Sequence, residues 1–129
     1  MSEKTILVAD DESHILHVVS VKLQNAGFHV LTARNGREAL ELALAERPDL
    51  LITDYHMPEL SGIELCHQLK QNPQTSGIPA IMLTARGYAL EEGDTERSGI
   101  VCMLNKPFSP RALLATVQEV LEREQRDAA

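Results

Sequence analysis

The sequence predicts an α/β fold, a doubly wound five-stranded parallel sheet with helices on both faces. Three observations carry this. Short apolar runs of strand length alternate with stretches of helical periodicity, five times over. Three of the runs, the first, third and fourth, are apolar nearly throughout, as strands covered on both faces are. The chain has 129 residues, of which 43% are hydrophobic and 24% charged, enough for one domain with its own core.

The first run, Thr5 to Ala9, ends in Asp10-Asp11-Glu12. Ser13 then caps a helix whose apolar stripe is Ile15, Val18, Val19, Leu23 and Ala26, closed by Gly27. The second strand spans Phe28–Leu31. Gly36 to Arg47, rich in Ala, Leu and Glu, is the second helix, stopped by Pro48. The third strand, Leu50–Thr53, leads to Asp54. Ser61 to Gln71 is the third helix, after a proline-containing loop and before Pro73. The fourth strand is Ala80–Thr84. Tyr88 to Arg97, mostly polar with Gly93 inside it, reads as a short fourth helix. The fifth strand, Ile100–Leu104, precedes Asn105-Lys106-Pro107. Ser109-Pro110 opens the last helix as N-cap and first helical residue, with the stripe Leu113, Val117, Val120 and Leu121. The domain is expected over 1–123, with a frayed polar tail over 124–129.

Composition narrows the function. A net charge of −7 argues against direct nucleic-acid binding, which needs clustered Lys and Arg. It suits a cation site, a basic partner or simple solubility. Cys66 and Cys102 lack CxxC spacing and read as free thiols. No apolar run reaches membrane-spanning length, and the start Met1-Ser2-Glu3-Lys4 has no leader character, so cytoplasmic location without membrane insertion is expected.

In parallel sheets, ligands bind beyond the carboxyl ends of the strands. Those ends carry Asp10 and Asp11, then Asp54, Thr84 and Lys106. Three carboxylates in one cleft repel, and a hard divalent cation such as Mg²⁺ relieves that while leaving room for a phosphoryl oxygen. Lys106 offers an ammonium and Thr84 a hydroxyl. Singly, each has an ordinary role: capping for an Asp pair, strand packing for Thr, surface charge for Lys. Together they suit phosphoryl transfer onto an aspartate. His14 and His17 share a helix face without a third soft ligand, and Met57 reads as loop packing.

The segments ILVADDE at 6–12, DYHMPELSG at 54–62, LTA at 83–85 and NKPF at 105–108 resemble the response-regulator receiver family in order and spacing over nearly the whole chain. The resemblance implies a flavodoxin-like strand order 2-1-3-4-5. It implies a phosphoacceptor domain of a two-component system in which Asp54 receives a phosphoryl group from a histidine kinase or phosphotransfer protein. Mg²⁺, with Mn²⁺ as a substitute, would be held by Asp11 and Asp54, by Asp10 through water and by the backbone carbonyl of His56. Thr84 and Lys106 would bind the phosphoryl oxygens, Lys106-Pro107 would be a cis peptide, and Pro58 and Gly62 would shape the rim. His56 and Arg86 would modulate phosphoryl lifetime. Output would pass through the face of the fourth helix, fifth strand and last helix to a protein target. The protein would not be an enzyme beyond self-catalysed phosphotransfer and dephosphorylation.

One position departs from the pattern. Met103 stands where the family often has Tyr or Phe, so an inward-turning aromatic is not available there. This leaves a second reading, a degenerate receiver acting as a phosphorylation-independent binding module. An aspartyl phosphotransferase of the haloacid-dehalogenase type would need Asp where His56 stands, and a flavodoxin would need a hydroxyl- and glycine-rich loop where Asp10-Asp11-Glu12 stands.

Overall fold

A computed structural model describes residues 3–84 and 99–128, with side chains through Glu124. Five strands form one parallel sheet: β1 Thr5–Ala9, β2 His29–Ala33, β3 Leu50–Asp54, β4 Ala80–Thr84 and β5 Ile100–Asn105. Their spatial order is β2-β1-β3-β4-β5, as expected. Four helices are described: α1 Ser13–Asn25, α2 Gly36–Glu46, α3 Gly62–Gln71 and α4 Pro110–Ala128. The expected helix over Tyr88–Arg97 lies outside the described residues, as does Arg86.

The sheet is two-sided because its central strands are apolar on both faces. Every residue of β3 and β4 is buried, as are Ile6 to Ala9 of β1. Ile6, Val8, Leu50, Ile52, Ile81 and Leu83 face one way, onto Leu16, Val19 and Leu23 of α1 and Leu113, Val117 and Val120 of α4. Leu7, Leu51 and Met82 face the other way, with Ala39 and Ala43 of α2 and Leu65, Cys66 and Leu69 of α3. Both cysteines are free thiols, and burial pushes Cys66 up to about 12.

Several details differ from the sequence reading. Glu12, not Ser13, is the N-cap of α1. Leu16 replaces Ala26 in the buried stripe, because Ala26 is the exposed C-cap residue that precedes Gly27 at φ 98°. Strand β2 runs on through Thr32-Ala33, paired with Val8 and Ala9, while Phe28 stays in the turn with its N–H donated to the carbonyl of Leu23. Helix α4 runs to Ala128, through most of the polar stretch read as a tail. The other signals coincide: Ser61 closes a capping box with Glu64, and the hydroxyl of Ser109 accepts from the N–H of Ala112 ahead of Pro110.

The loop from β3 to α3 is held against the rest by two glycines. A Cβ on Gly36 would stand 2.0 Å from the carbonyl oxygen of Leu60, and one on Gly62 would stand 2.2 Å from that of Asp54. The Gly62 N–H also donates to the carbonyl of Tyr55 at 2.8 Å. Both obstacles are backbone, which cannot rotate away. Gly36→Ala is therefore expected to cost about 1–3 kcal/mol of stability, the scale of overpacking in a filled interior. Urea denaturation checks this, and an unchanged midpoint with an unchanged slope contradicts it.

Candidate functional site

The parallel topology gathers the polar strand ends at one edge. Asp10 follows β1, Asp54 ends β3, Thr84 ends β4 and Lys106 follows β5. Asp10 and Thr84 are wholly buried and Asp54 is 8% exposed, whereas Asp11, Glu12 and His56 are exposed. Main-chain bonds tie neighbouring strand ends together. The N–H of Asp10 donates to the carbonyl of Ala33, that of Tyr55 to Leu83, and that of Lys106 to Thr84 at 2.8 Å. The Lys106–Pro107 peptide is cis.

Lys106 joins the acidic groups. Its Nζ lies 3.0 Å from Asp10 Oδ2, 3.1 Å from Glu12 Oε1 and 3.3 Å from Asp54 Oδ1. Asp10 is anchored on its other side, where Oδ1 accepts the backbone N–H of Glu12 at 3.0 Å. One oxygen from each of Asp10, Asp11 and Glu12 can be chosen so that all lie within 4.8 Å of one another. This all-oxygen donor set fits a hard divalent cation and offers nothing to a soft one.

The electrostatics follow from crowding. Burial raises the pKa of Asp54, the neighbouring charges of Asp10 and Asp11 add to this, and Lys106 opposes it. Burial likewise raises Asp10, against its bonds from Glu12 and Lys106. Desolvation works against the charge on Lys106, but its bonds to Asp10 and Glu12 outweigh it and raise the pKa.

The sequence-derived residues thus converge, with qualifications. Asp10, Asp54 and Lys106 are in direct ion-pair contact, Thr84 and Asp11 flank them, and Met103 sits further down β5, half-buried against the α2–α3 side. Met57 packs in the loop, its Sδ 3.9 Å from the Thr53 hydroxyl. Sequence reasoning missed Glu12 as a partner of Lys106. The pair spans 94 positions, and no local pattern marks it. Beside the site runs a groove of about 550 Å³, bounded by Glu12, Ile15, Val18, Lys106, Pro107 and Phe108.

Known proteins resemble this chain over most of its length. Residues 6–118 match the family model described as "Response regulator receiver domain". The phosphate regulon transcriptional regulatory protein PhoB of Pseudomonas aeruginosa is 41% identical over 123 residues, covering 95% of this chain and 54% of that protein. The alkaline phosphatase synthesis transcriptional regulatory protein PhoP of Bacillus subtilis is 40% identical, covering 95% and 50%. The chain therefore spans about half the length of these curated relatives. Among solved structures, the chemotaxis response regulator CheY4 of Vibrio cholerae superposes with a TM-score of 0.85 at 36% identity, covering 92% of this chain and 99% of that one.

The crowding has a measurable consequence. A carboxyl with a raised pKa in the folded state binds its proton more tightly there than in the unfolded chain. Stability is therefore lost as pH rises through the range between the two values. Asp54→Asn removes that loss while Lys106 keeps Asp10 and Glu12. With divalent cations chelated, the variant is expected to be more stable than the wild type at pH 7, and the gap should close as pH falls toward 4. A less stable variant at pH 7 contradicts the assignment.

Proposed function

The chain belongs to the response regulator receiver family, and on that premise we propose that it is a switch thrown by phosphorylation of Asp54. The observation that carries the reading is the shared ammonium: Lys106 touches both the buried Asp10 and the nearly buried Asp54. A nucleophile, a cation and a hydroxyl donor at Thr84 stand at one sheet edge, the set phosphoryl transfer requires.

The donor is a phosphohistidine on a histidine kinase or phosphotransfer protein. An Asp54 carboxylate oxygen attacks phosphorus, the P–N bond breaks, and its electron pair stays on the imidazole nitrogen. Lys106 pairs with a phosphoryl oxygen, and the Thr84 hydroxyl donates to another. Asp10, Asp11, Asp54 and the backbone carbonyl of His56 would hold Mg²⁺, or Mn²⁺ in its place. A bound divalent cation supplies charge neutralisation between carboxylates and phosphoryl oxygens. Water later attacks phosphorus, returning Asp54 and inorganic phosphate. His56, exposed two residues after Asp54, and Arg86, two after Thr84 in the sequence, modulate the phosphoryl lifetime. This turnover is the domain's own and serves signalling rather than metabolism.

The groove beside Lys106 gives the donor protein an apolar footing at Ile15, Val18 and Phe108 next to the acceptor. The new charge, roughly −1.5 to −2, biases the output face, to which β5 and α4 belong among the described residues, toward a protein target. Met103 transmits this by packing rather than by turning a ring. Direct nucleic-acid contact by this domain is disfavoured by its net charge of −7. Any DNA output, as the relatives' names suggest for them, belongs to a longer protein. No described helix is long and apolar enough to cross a membrane, which is compatible with work in the cytoplasm. Met103 is the sole support for a phosphate-independent binding module, and the assembled acidic set weighs against it.

The test is labelling by a small phosphodonor such as acetyl phosphate. The wild type is expected to take up one phosphoryl group with Mg²⁺ and none with EDTA, and Asp54→Asn to take up none. Undiminished labelling of Asp54→Asn overturns the reading.

A further inference from the structure

Glu12 occupies the N-cap of α1, where a side-chain oxygen commonly accepts a backbone N–H of the first turn. It makes no such bond. Its carboxylate turns away from the helix, and Oε1 lies 3.1 Å from Lys106 Nζ. Its main chain also contributes, because the Glu12 N–H donates to Asp10 Oδ1 while Asp10 Oδ2 holds the same ammonium at 3.0 Å. The result is a closed ring: Glu12 main chain, Asp10, Lys106, Glu12 side chain. Two of the three carboxylates on Lys106 thus come from one three-residue segment after β1.

The two arms of this clamp differ. Asp10 is wholly buried and fixed at both oxygens, whereas the Glu12 side chain is 60% exposed. An exposed arm can swing into water at small cost, and a buried one cannot. A phosphoryl group on Asp54 must draw Lys106 toward its own oxygens, so one existing partner has to yield.

We propose that Glu12 is a positioning residue: it holds Lys106 on the β1 side of the cleft before phosphorylation and is the arm that releases it. This rests on the reading of Asp54 as acceptor and adds a competition that the reading does not contain. The phosphoryl oxygen and the Glu12 carboxylate contend for one ammonium. Weakening the pair should therefore ease capture of an anionic donor.

The experiment follows phosphorylation by phosphoramidate with Mg²⁺ over a range of donor concentrations. It compares wild type, Glu12→Gln, Glu12→Asp, Lys106→Ala and the Glu12→Gln/Lys106→Ala pair, with thermal melts confirming that each is folded. Glu12→Gln is expected to lower the half-saturating donor concentration about two- to fivefold, the scale of an exposed ion pair. Glu12→Asp keeps the charge but is one methylene shorter, so it should shift the same way. In the Lys106→Ala background the Glu12 substitution should have no effect. An unchanged half-saturation in Glu12→Gln overturns the inference. So does an equal shift without Lys106, or wild-type behaviour of Glu12→Asp, since either makes Glu12 only a diffuse repulsive charge. If the wild type itself takes no label, the reading of Asp54 fails and this inference with it. A labelled wild type with an indifferent Glu12→Gln sinks the inference alone.

Discussion

One ammonium group is the constraint on which the site depends. Lys106 stands within 3.3 Å of three carboxylates, two of them on residues with almost no exposure to solvent. Buried carboxylates without a counter-charge would be costly, and protonation would be the cheaper escape. Lys106 reduces that cost only in part, which is why burial still raises the pKa of both Asp10 and Asp54. A site that is incompletely neutralised is prepared to take a cation.

The sheet makes this crowding unavoidable. Parallel strands all end at one edge, so the polar residues terminating β1, β3 and β4 and following β5 must meet. The apolar strand interiors hold the backbone rigidly on both faces, and the main-chain bonds Tyr55 to Leu83 and Lys106 to Thr84 tie neighbouring strand ends together. Gly36 and Gly62 then press the loop after Asp54 against the body, so Asp54 has a fixed floor and a fixed rim. The site is positioned by packing rather than by its own attractions, which are partly repulsive.

Much of this was legible in the sequence because burial on both faces leaves a strong imprint. The runs at 5–9, 50–53 and 80–84 are apolar enough to name their strands, and the acidic and basic residues just beyond them name the edge. Legibility fell where local chemistry was ambiguous. The apolar run of β2 stops at Leu31 before the polar Arg34-Asn35-Gly36, although pairing with β1 carries the strand on through Thr32-Ala33. Ala26 fits an apolar stripe but is the C-cap residue of α1, while Leu16 holds the buried position. The Glu12–Lys106 pair and the approach of Gly36 to Leu60 join distant segments and leave no local signature. Met103 shows the opposite case. The sequence singled it out by comparison with a family habit, and it packs half-buried beside the α2–α3 core.

The account stands or falls on which carboxylate carries the phosphoryl group, since Asp10, Asp11 and Asp54 share the cleft. The most direct measurement is to phosphorylate the wild-type protein, reduce the acyl phosphate with borohydride and map the modified residue by peptide mass spectrometry. The account predicts homoserine at position 54 and unmodified aspartate at 10 and 11. Homoserine at position 10 or 11, with Asp54 intact, would contradict it.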